Sequence, residues 1–126
     1  MTTTQKNYRG YRDGYRTSEP LFVLVQDGDG ESRPLPGALP PGTWDRGSGF
    51  EWSYDGAGPK NLAAAILTDY LGRRPHSWII DRFVSQVIAQ LDVAKPWVMR
   101  SAEIDAWLKR RRRAKGFVLY EEEARG

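Results

Sequence analysis

Residues 50–67 constrain the fold of this chain more than any other part of the sequence. Residues 50–54 alternate aromatic and polar side chains, which is the pattern of a half-buried β-strand. A Gly-x-Gly turn follows at Gly56 and Gly58. Pro59 then stands at a suitable first position for a helix, and strong helix formers come after it. The segment therefore predicts a strand, a glycine hinge and a helix in direct succession.

The hydrophobic pattern elsewhere predicts strands early in the chain and helices later. Residues 21–25 form an apolar run typical of a strand, and residues 27–30 form the turn after it. Helices are expected from Pro59 to a stop at Gly72, over residues 77–91, and from about Ala102 with Ser101 as the cap. This order favours an α+β fold with a small, mainly antiparallel sheet packed against about three helices.

Other segments carry weaker signals. Residues 8–16 repeat Tyr-Arg between glycines and suit an extended segment at a sheet edge, whereas the proline-rich residues 33–42 predict a loop. Residues 97–99 and 117–120 are candidates for short strands. The helical periodicity predicts a core that contains Leu62, Ile66, Leu67, Phe83, Val87, Ile104 and Trp107. Trp52 also fits an apolar stripe, and Trp44 has the least reason to be buried.

The length of 126 residues suits one domain and is too short for two. We expect a disordered N-terminus over residues 1–7, a single α+β domain over 8–120 and an acidic tail over 121–126. The chain has no cysteine and one histidine, His76, which excludes a thiolate or two-histidine metal site within the chain. It has neither the apolar core of a signal peptide nor a membrane-spanning run, so we expect a cytoplasmic protein with no membrane partner.

The net charge of +3 hides an asymmetry along the chain. Through Gly58, six basic residues against eight acidic ones give −2, and from Pro59 onward thirteen against eight give +5. Residues 109–115, here called the basic run, hold six of these cations: Lys109, Arg110, Arg111, Arg112, Arg113 and Lys115. A field of this kind favours polyanions or acidic protein surfaces as partners.

Two interpretations of the basic run stay open. It is either a solvated helix end, whose cations complement the helix dipole and the acidic tail, or a contact to the phosphate backbone of nucleic acid. Four consecutive arginines span more than one helical turn, so they point in every direction around a helix and only some can touch any one ligand. Secondary nucleic-acid contacts are expected from the N-terminal Tyr/Arg segment: Tyr8, Arg9, Tyr11, Arg12 and Tyr15.

The remaining candidate chemistries have simpler explanations. The turn at residues 56–60 stands where a helix could bind phosphate, but it matches neither the phosphate loop nor the dinucleotide fingerprint, and we expect a structural turn. Glu51 and Asp55 could do acid–base chemistry; we expect Glu51 to face solvent or to pair with an arginine. His76 fits a surface or capping position, and residues 27–31 lack the full calcium-loop ligand set. We therefore expect no catalytic residues, cofactor or metal.

Several motifs together resemble a known family. They are Tyr8-Arg9-Gly10-Tyr11-Arg12, the pattern FEWxYxGxGPxxLAxAIL over residues 50–67, Phe83 with Val87, and Ile104-x-x-Trp107. This combination resembles a small bacterial and phage family catalogued as domain of unknown function 6166. The resemblance implies a source among bacteria, plasmids or phages, and it supplies no catalytic residues because the family has no assigned activity. The proline-rich loop and the basic run look particular to this protein.

Two functions fit these observations. The first is a non-enzymatic accessory protein that docks on nucleic acid or on a nucleic-acid-handling complex, with the basic run as its main contact. The alternative is a protein-binding inhibitor or adaptor, such as a phage anti-defence protein acting on a host partner, and it rests on analogy.

Overall fold

The computed structural model describes residues 5–12, 21–37 and 49–120. The elements in chain order are β1 (Lys6–Arg12), β2 (Leu21–Asp27), β3 (Ser32–Pro34), α1 (Ala57–Leu71), α2 (Ser77–Gln86), a short 3-10 helix (Ile88–Gln90), β4 (Trp97–Arg100) and α3 (Ser101–Arg112). The four strands form one antiparallel sheet in the order β3-β2-β1-β4. The predicted α+β class is confirmed.

Strand β1 lies in the middle of the sheet. Tyr8 is paired with Val25 of β2 on one side and with Met99 of β4 on the other. The predicted edge position is therefore wrong for residues 8–12, and residues 13–16 lie outside the described residues. The central place is possible because Gly10 has no side chain: a Cβ there would come within 2.3 Å of the Trp97 ring. Residues 6 and 7, expected to be disordered, belong to β1.

The strand predicted at residues 50–54 is wrong. Phe50, Glu51 and Trp52 are all buried and Tyr54 is exposed, so burial does not alternate along the segment as the aromatic residues do. Ser53 has a φ of 81°, in the left-handed region that an extended strand does not use. Its N–H donates to the carbonyl of Ile88 at 3.0 Å, while the N–H of Glu51 donates to Gly58 at 3.3 Å. Residues 49–56 are thus an irregular segment tied to the helices.

Helix α1 follows the local sequence signals closely. It begins at Ala57, two residues before Pro59, with Gly56 at the N-cap position. At the other end Gly72 has a φ of 84° and donates its N–H to Thr68 at 2.8 Å, so the predicted stop is confirmed.

The loop predicted at residues 33–42 is wrong for its first two residues, which belong to strand β3. Pro34 is possible there because β3 is an edge strand, where a missing N–H is tolerated.

The later helices depart from their predicted ends. Helix α2 stops at Gln86 because Val87 leaves the helical conformation, and the 3-10 helix completes the segment predicted through residue 91. Ser101 is the first residue of α3 rather than its cap, and its hydroxyl accepts the N–H of Lys6 at 3.0 Å. The N–H of Arg100 is satisfied by Glu103 Oε2 at 3.0 Å.

Residues 97–100 form β4 as expected, but the strand predicted at residues 117–120 is wrong. These residues are irregular and lie against the beginning of α2. The Leu119 carbonyl accepts the N–H of His76 at 2.7 Å, and Phe117 packs edge-on against Trp78 at 5.8 Å between ring centroids.

The core lies between the helices and one face of the sheet. Of the predicted core residues, Leu62, Ile66, Leu67, Phe83, Ile104 and Trp107 are buried. Val87 is only partly buried, because it stands at the break between α2 and the 3-10 helix. Trp52 is buried as predicted and meets Trp97 edge-on at 5.6 Å. Within residues 5–12, 21–37 and 49–120, no helix combines the length and the apolar character needed to cross a membrane.

Candidate nucleic-acid interface

The basic run forms the end of α3 and the residues directly after it. The helix is oriented by its buried side chains Ile104, Trp107 and Leu108, which face the core. Beyond them the exposed cations are Lys109, Arg110, Arg112, Arg113 and Lys115. Gly116 follows with a φ of 81°. The basic run therefore begins on the last turn of α3, as expected, while Arg113 and Lys115 follow the end of the helix.

Two members of the run make local contacts within the protein. The Arg111 guanidinium lies over the Trp107 ring, 5.2 Å from its centroid, and the Nε atom of Arg111 is buried. Lys109 Nζ lies 3.0 Å from Asp105 Oδ2, one helical turn earlier. Arg111 is therefore a packing residue, and Lys109 is partly neutralised. The cations best placed for an external anion are Arg110, Arg112, Arg113 and Lys115.

Asp105 is the carboxylate that this end of α3 shares with α1. The Tyr70 hydroxyl donates to Asp105 Oδ1 at 3.2 Å. The pKa of Asp105 is held below its usual range, mainly by the hydrogen bond from Lys109 and further by Tyr70 and Arg112. The pKa of Tyr70 is raised by burial and by the adjacent Asp105 charge. Asp105 thus stays ionised and offsets part of the local positive charge.

The N-terminal candidates lie on another surface. Along β1, Tyr8 and Gly10 are buried while Arg9 and Tyr11 are exposed, because successive side chains of a strand point to opposite faces. The core lies on the face of Tyr8, so Arg9 and Tyr11 lie on the opposite face of the sheet. Tyr8 is fully buried and donates to Asp69, so its predicted role as a nucleic-acid contact is wrong. The side chain of Arg12, together with Tyr15 and Trp44, lies outside the described residues.

The structure contains an ionic cluster that the sequence analysis did not identify. Asp69 of α1 accepts a hydrogen bond from the Tyr8 hydroxyl at 2.8 Å and another from Lys6 Nζ at 3.2 Å. Arg33 of β3 donates to Asp27 of β2 at 2.6 Å and lies 3.8 Å from Asp69. Burial and then the Asp69 carboxylate raise the pKa of Tyr8. Two cations balance two carboxylates here, so the cluster fixes α1 to three strands.

Among known proteins and families, one family model matches this chain. The model of a family of unknown function, DUF6166, matches residues 8–110. The chain belongs to the DUF6166 family. The match ends inside the basic run, so it includes Lys109 and Arg110 of this DUF6166 protein and stops before Arg111. No curated protein matches the chain, and no solved structure does.

In this DUF6166 member, the other residues that the sequence suggested as functional candidates have roles in packing or helix capping. Glu51 is 1% exposed, so the expectation that it faces solvent is wrong; its Oε1 accepts the N–H of Trp52 at 3.0 Å. A Cβ at Gly58 would lie 2.5 Å from the Cβ of Glu51, which accounts for a glycine in the structural turn. His76 caps α2 by accepting the N–H of Trp78 at 3.2 Å, as predicted.

The acidic turn after β2 is confirmed as a turn, closed by a 2.9 Å hydrogen bond from Gly30 to Asp27. In the described part of the chain, three or more histidine, aspartate or glutamate side chains do not come together where a metal ion could bind.

Proposed function

We propose that this DUF6166 protein is a non-enzymatic accessory protein of the cytoplasm that docks on nucleic acid, or on a nucleic-acid-handling complex, through its basic run. The supporting observation is the exposure of Arg110, Arg112, Arg113 and Lys115 at the end of one helix. A helix C-terminus carries only about half a negative charge, which these cations exceed several-fold. Arginine forks also suit phosphate oxygens, which they bind with two parallel hydrogen bonds.

The helical spacing limits how many cations reach one ligand. Arg110 and Arg113 are three residues apart and therefore share one side of the helix. Lys109 and Arg112 share another side, above Tyr70 and Asp105. A duplex laid against the helix end would meet one of these pairs and the adjacent Lys115. Binding of this kind is weak, independent of base sequence and strongly dependent on salt.

The test is a variant that removes exposed cations without disturbing the core. Arg110→Gln, Arg112→Gln and Arg113→Gln are combined, and Arg111 is kept because its side chain packs on Trp107. We expect the affinity for duplex DNA at low salt to fall about tenfold, because up to two phosphate contacts are lost.

The matched control removes three exposed cations elsewhere, with the changes Lys60→Gln, Arg74→Gln and Lys95→Gln. It should bind within about twofold of the wild type, since a change in net charge alone has a smaller effect than the loss of direct contacts. Equal loss in both variants, or no binding of DNA or RNA by the wild type, would overturn the proposal.

A second function is favoured by a separate observation. An apolar groove of about 260 Å³ runs along the edge strand β4, next to α2 and α3; its lining includes Val87, Leu91, Val98 and Trp107 as well as Glu103 and Arg110. Val98 is 54% exposed, so part of this apolar lining is accessible to a partner. A groove of this chemistry supports the alternative proposal of a protein-binding inhibitor or adaptor.

Nuclease treatment of the protein with its bound partner distinguishes the two functions. A partner protein held in the groove should stay bound after the nucleic acid is digested and should be released by Val98→Arg. A partner that dissociates on digestion, and is unaffected by Val98→Arg, supports docking on nucleic acid instead.

A further inference from the structure

The face of the sheet opposite the helices, here called the open face, presents its own set of side chains. Tyr8, Val25 and Met99 are buried against the helices, so the residues that alternate with them lie on the other face. The described open-face residues are Asn7, Arg9, Tyr11, Leu24, Gln26, Ser32, Pro34, Val98 and Arg100. Most of them are exposed, and Asn7, Leu24 and Gln26 are half-buried.

The charged side chains at the described open-face positions of the strands are both arginines, and the Glu103 carboxylate at the start of α3 accepts the N–H of Arg100 at 3.0 Å. Arg9 and Arg100 lie on adjacent strands, since Arg9 is paired with Val98 and Arg100 with Asn7. The two arginines are therefore diagonal neighbours on one face. At the described open-face positions of the four strands there is no aspartate or glutamate. A surface of this kind attracts anions.

The open face also carries exposed apolar and aromatic area between its cations. Tyr11 is 38% exposed and stands two residues from Arg9, which puts their Cα atoms about 7 Å apart along β1. Val98 is 54% exposed on the same rung as Arg9. Aromatic rings and arginine planes can stack on nucleobases, but a duplex keeps the faces of its bases hidden inside the stack. The pairing of rings with cations therefore fits a single strand better than a duplex.

We propose that the open face binds a single strand of nucleic acid, with a base stacked on Tyr11 and phosphates held by Arg9 and Arg100. The inference rests on the proposed function and names the form of nucleic acid that this second surface takes. The basic run then supplies a separate, sequence-independent phosphate contact, and the open face supplies the preference for unpaired bases.

The experiment measures the binding of a short fluorescent oligothymidylate, and of a duplex of the same length, by fluorescence anisotropy. Tyr11→Leu keeps an apolar side chain and removes the ring, whereas Tyr11→Phe keeps the ring. We expect Tyr11→Leu to weaken oligothymidylate binding by about 5-fold to 100-fold and Tyr11→Phe to bind within about twofold of the wild type, because the stacked ring carries the contact. Duplex affinity should be unchanged in both variants.

The arginines are tested by the salt dependence of the same binding. Arg9→Gln combined with Arg100→Gln should lower the log–log salt slope for oligothymidylate by about 1.4, the value for two lost contacts to a single strand. The control, Arg74→Gln with Lys95→Gln, removes two exposed cations from loops outside the sheet and should leave the slope unchanged. Thermal unfolding of each variant checks that the fold is retained.

The outcomes separate this inference from the proposed function. If the wild type binds neither oligothymidylate nor duplex, both are overturned. If the wild type binds duplex but Tyr11→Leu binds oligothymidylate as the wild type does, the open face is not the site and only this inference fails. It also fails if an acidic peptide displaces oligothymidylate from the open face with higher affinity, since the face is then a protein-binding surface.

Discussion

Gly10→Ala tests why β1 can occupy the centre of the sheet. A Cβ built at Gly10 would lie 2.3 Å from Cε2 of Trp97 and 2.4 Å from Cζ2 and Nε1 of the same ring. These distances are far below van der Waals contact, and the indole is only 7% exposed and packs edge-on against Trp52. The ring cannot swing aside as a flexible side chain would, so either β1 or the Trp52–Trp97 pair must shift.

The expected loss of stability follows from two opposing terms. Alanine gains about 0.5–1 kcal/mol over glycine inside a strand because the unfolded chain loses less entropy. Overpacking a rigid core site costs typically about 1–3 kcal/mol, and an overlap this severe belongs at the upper end. We expect the free energy of unfolding to fall by about 2–2.5 kcal/mol. Gly10→Ala combined with Trp97→Leu should recover part of this, because the smaller side chain leaves room for the methyl group.

The assay is urea denaturation of the wild type, the two single variants and the double variant, read by far-ultraviolet circular dichroism. A coupling of at least about 0.5 kcal/mol between the two positions is expected for residues in direct contact. Additive effects, or a Gly10→Ala variant as stable as the wild type, would show that the indole does not lie across β1.

Two further predictions concern the core and the ionic cluster. Ile66→Ala should lower the free energy of unfolding by about 2–4 kcal/mol in the same assay, because Ile66 is fully buried; a change within error would mean that α1 presents another face to the core. The raised pKa of Tyr8 keeps its phenol neutral in the folded protein, while the unfolded tyrosine loses its proton near pH 10. The free energy of unfolding should therefore fall as the pH rises above about 10, by up to about 1.4 kcal/mol per pH unit for this group, with Tyr70 adding in the same direction. Tyr8→Phe should make this decline shallower, and an identical pH dependence in Tyr8→Phe and the wild type would refute the assignment.

Helix α1 was predictable from sequence because its signals are local. The proline near its start, the apolar stripe and Gly72 at its end all act within a few residues, and the structure places both ends close to the predicted positions. The irregular conformation of residues 50–54 was not predictable in the same way. Alternating aromatic and polar residues normally mean one buried face, but here Glu51 is buried as well, because Gly58 leaves space beside it.

The central position of β1 depends on a contact between residues far apart in sequence. Tyrosines, arginines and glycines in short succession resembled an edge segment, and only the approach of Trp97 to Gly10 explains the glycine. The ionic cluster has the same origin: Asp69 looks like an ordinary polar position on α1, and its partners Lys6, Tyr8 and Arg33 come from strands that the topology brings beside it. The sequence pattern within one helix or strand cannot reveal contacts between residues that are far apart in the chain.

The candidate nucleic-acid interface was predictable only in part, because some of its features are local in sequence and others depend on contacts between distant residues. A run of six cations is visible in the sequence, and its position at the end of α3 follows from helical periodicity. The packing of Arg111 on Trp107, and the position of Arg9 and Tyr11 on the face of the sheet opposite Tyr8, depend on how the helices cover the sheet.

The salt dependence of duplex binding tests the proposed role of the basic run most directly. The affinity of the wild type and of the Arg110→Gln, Arg112→Gln, Arg113→Gln variant is measured over a series of salt concentrations, with the Lys60→Gln, Arg74→Gln, Lys95→Gln variant beside them. If two of the exposed arginines contact phosphates, the log–log slope should flatten by about two units in the first variant and stay at the wild-type value in the second. Equal slopes in all three proteins would contradict docking through the basic run.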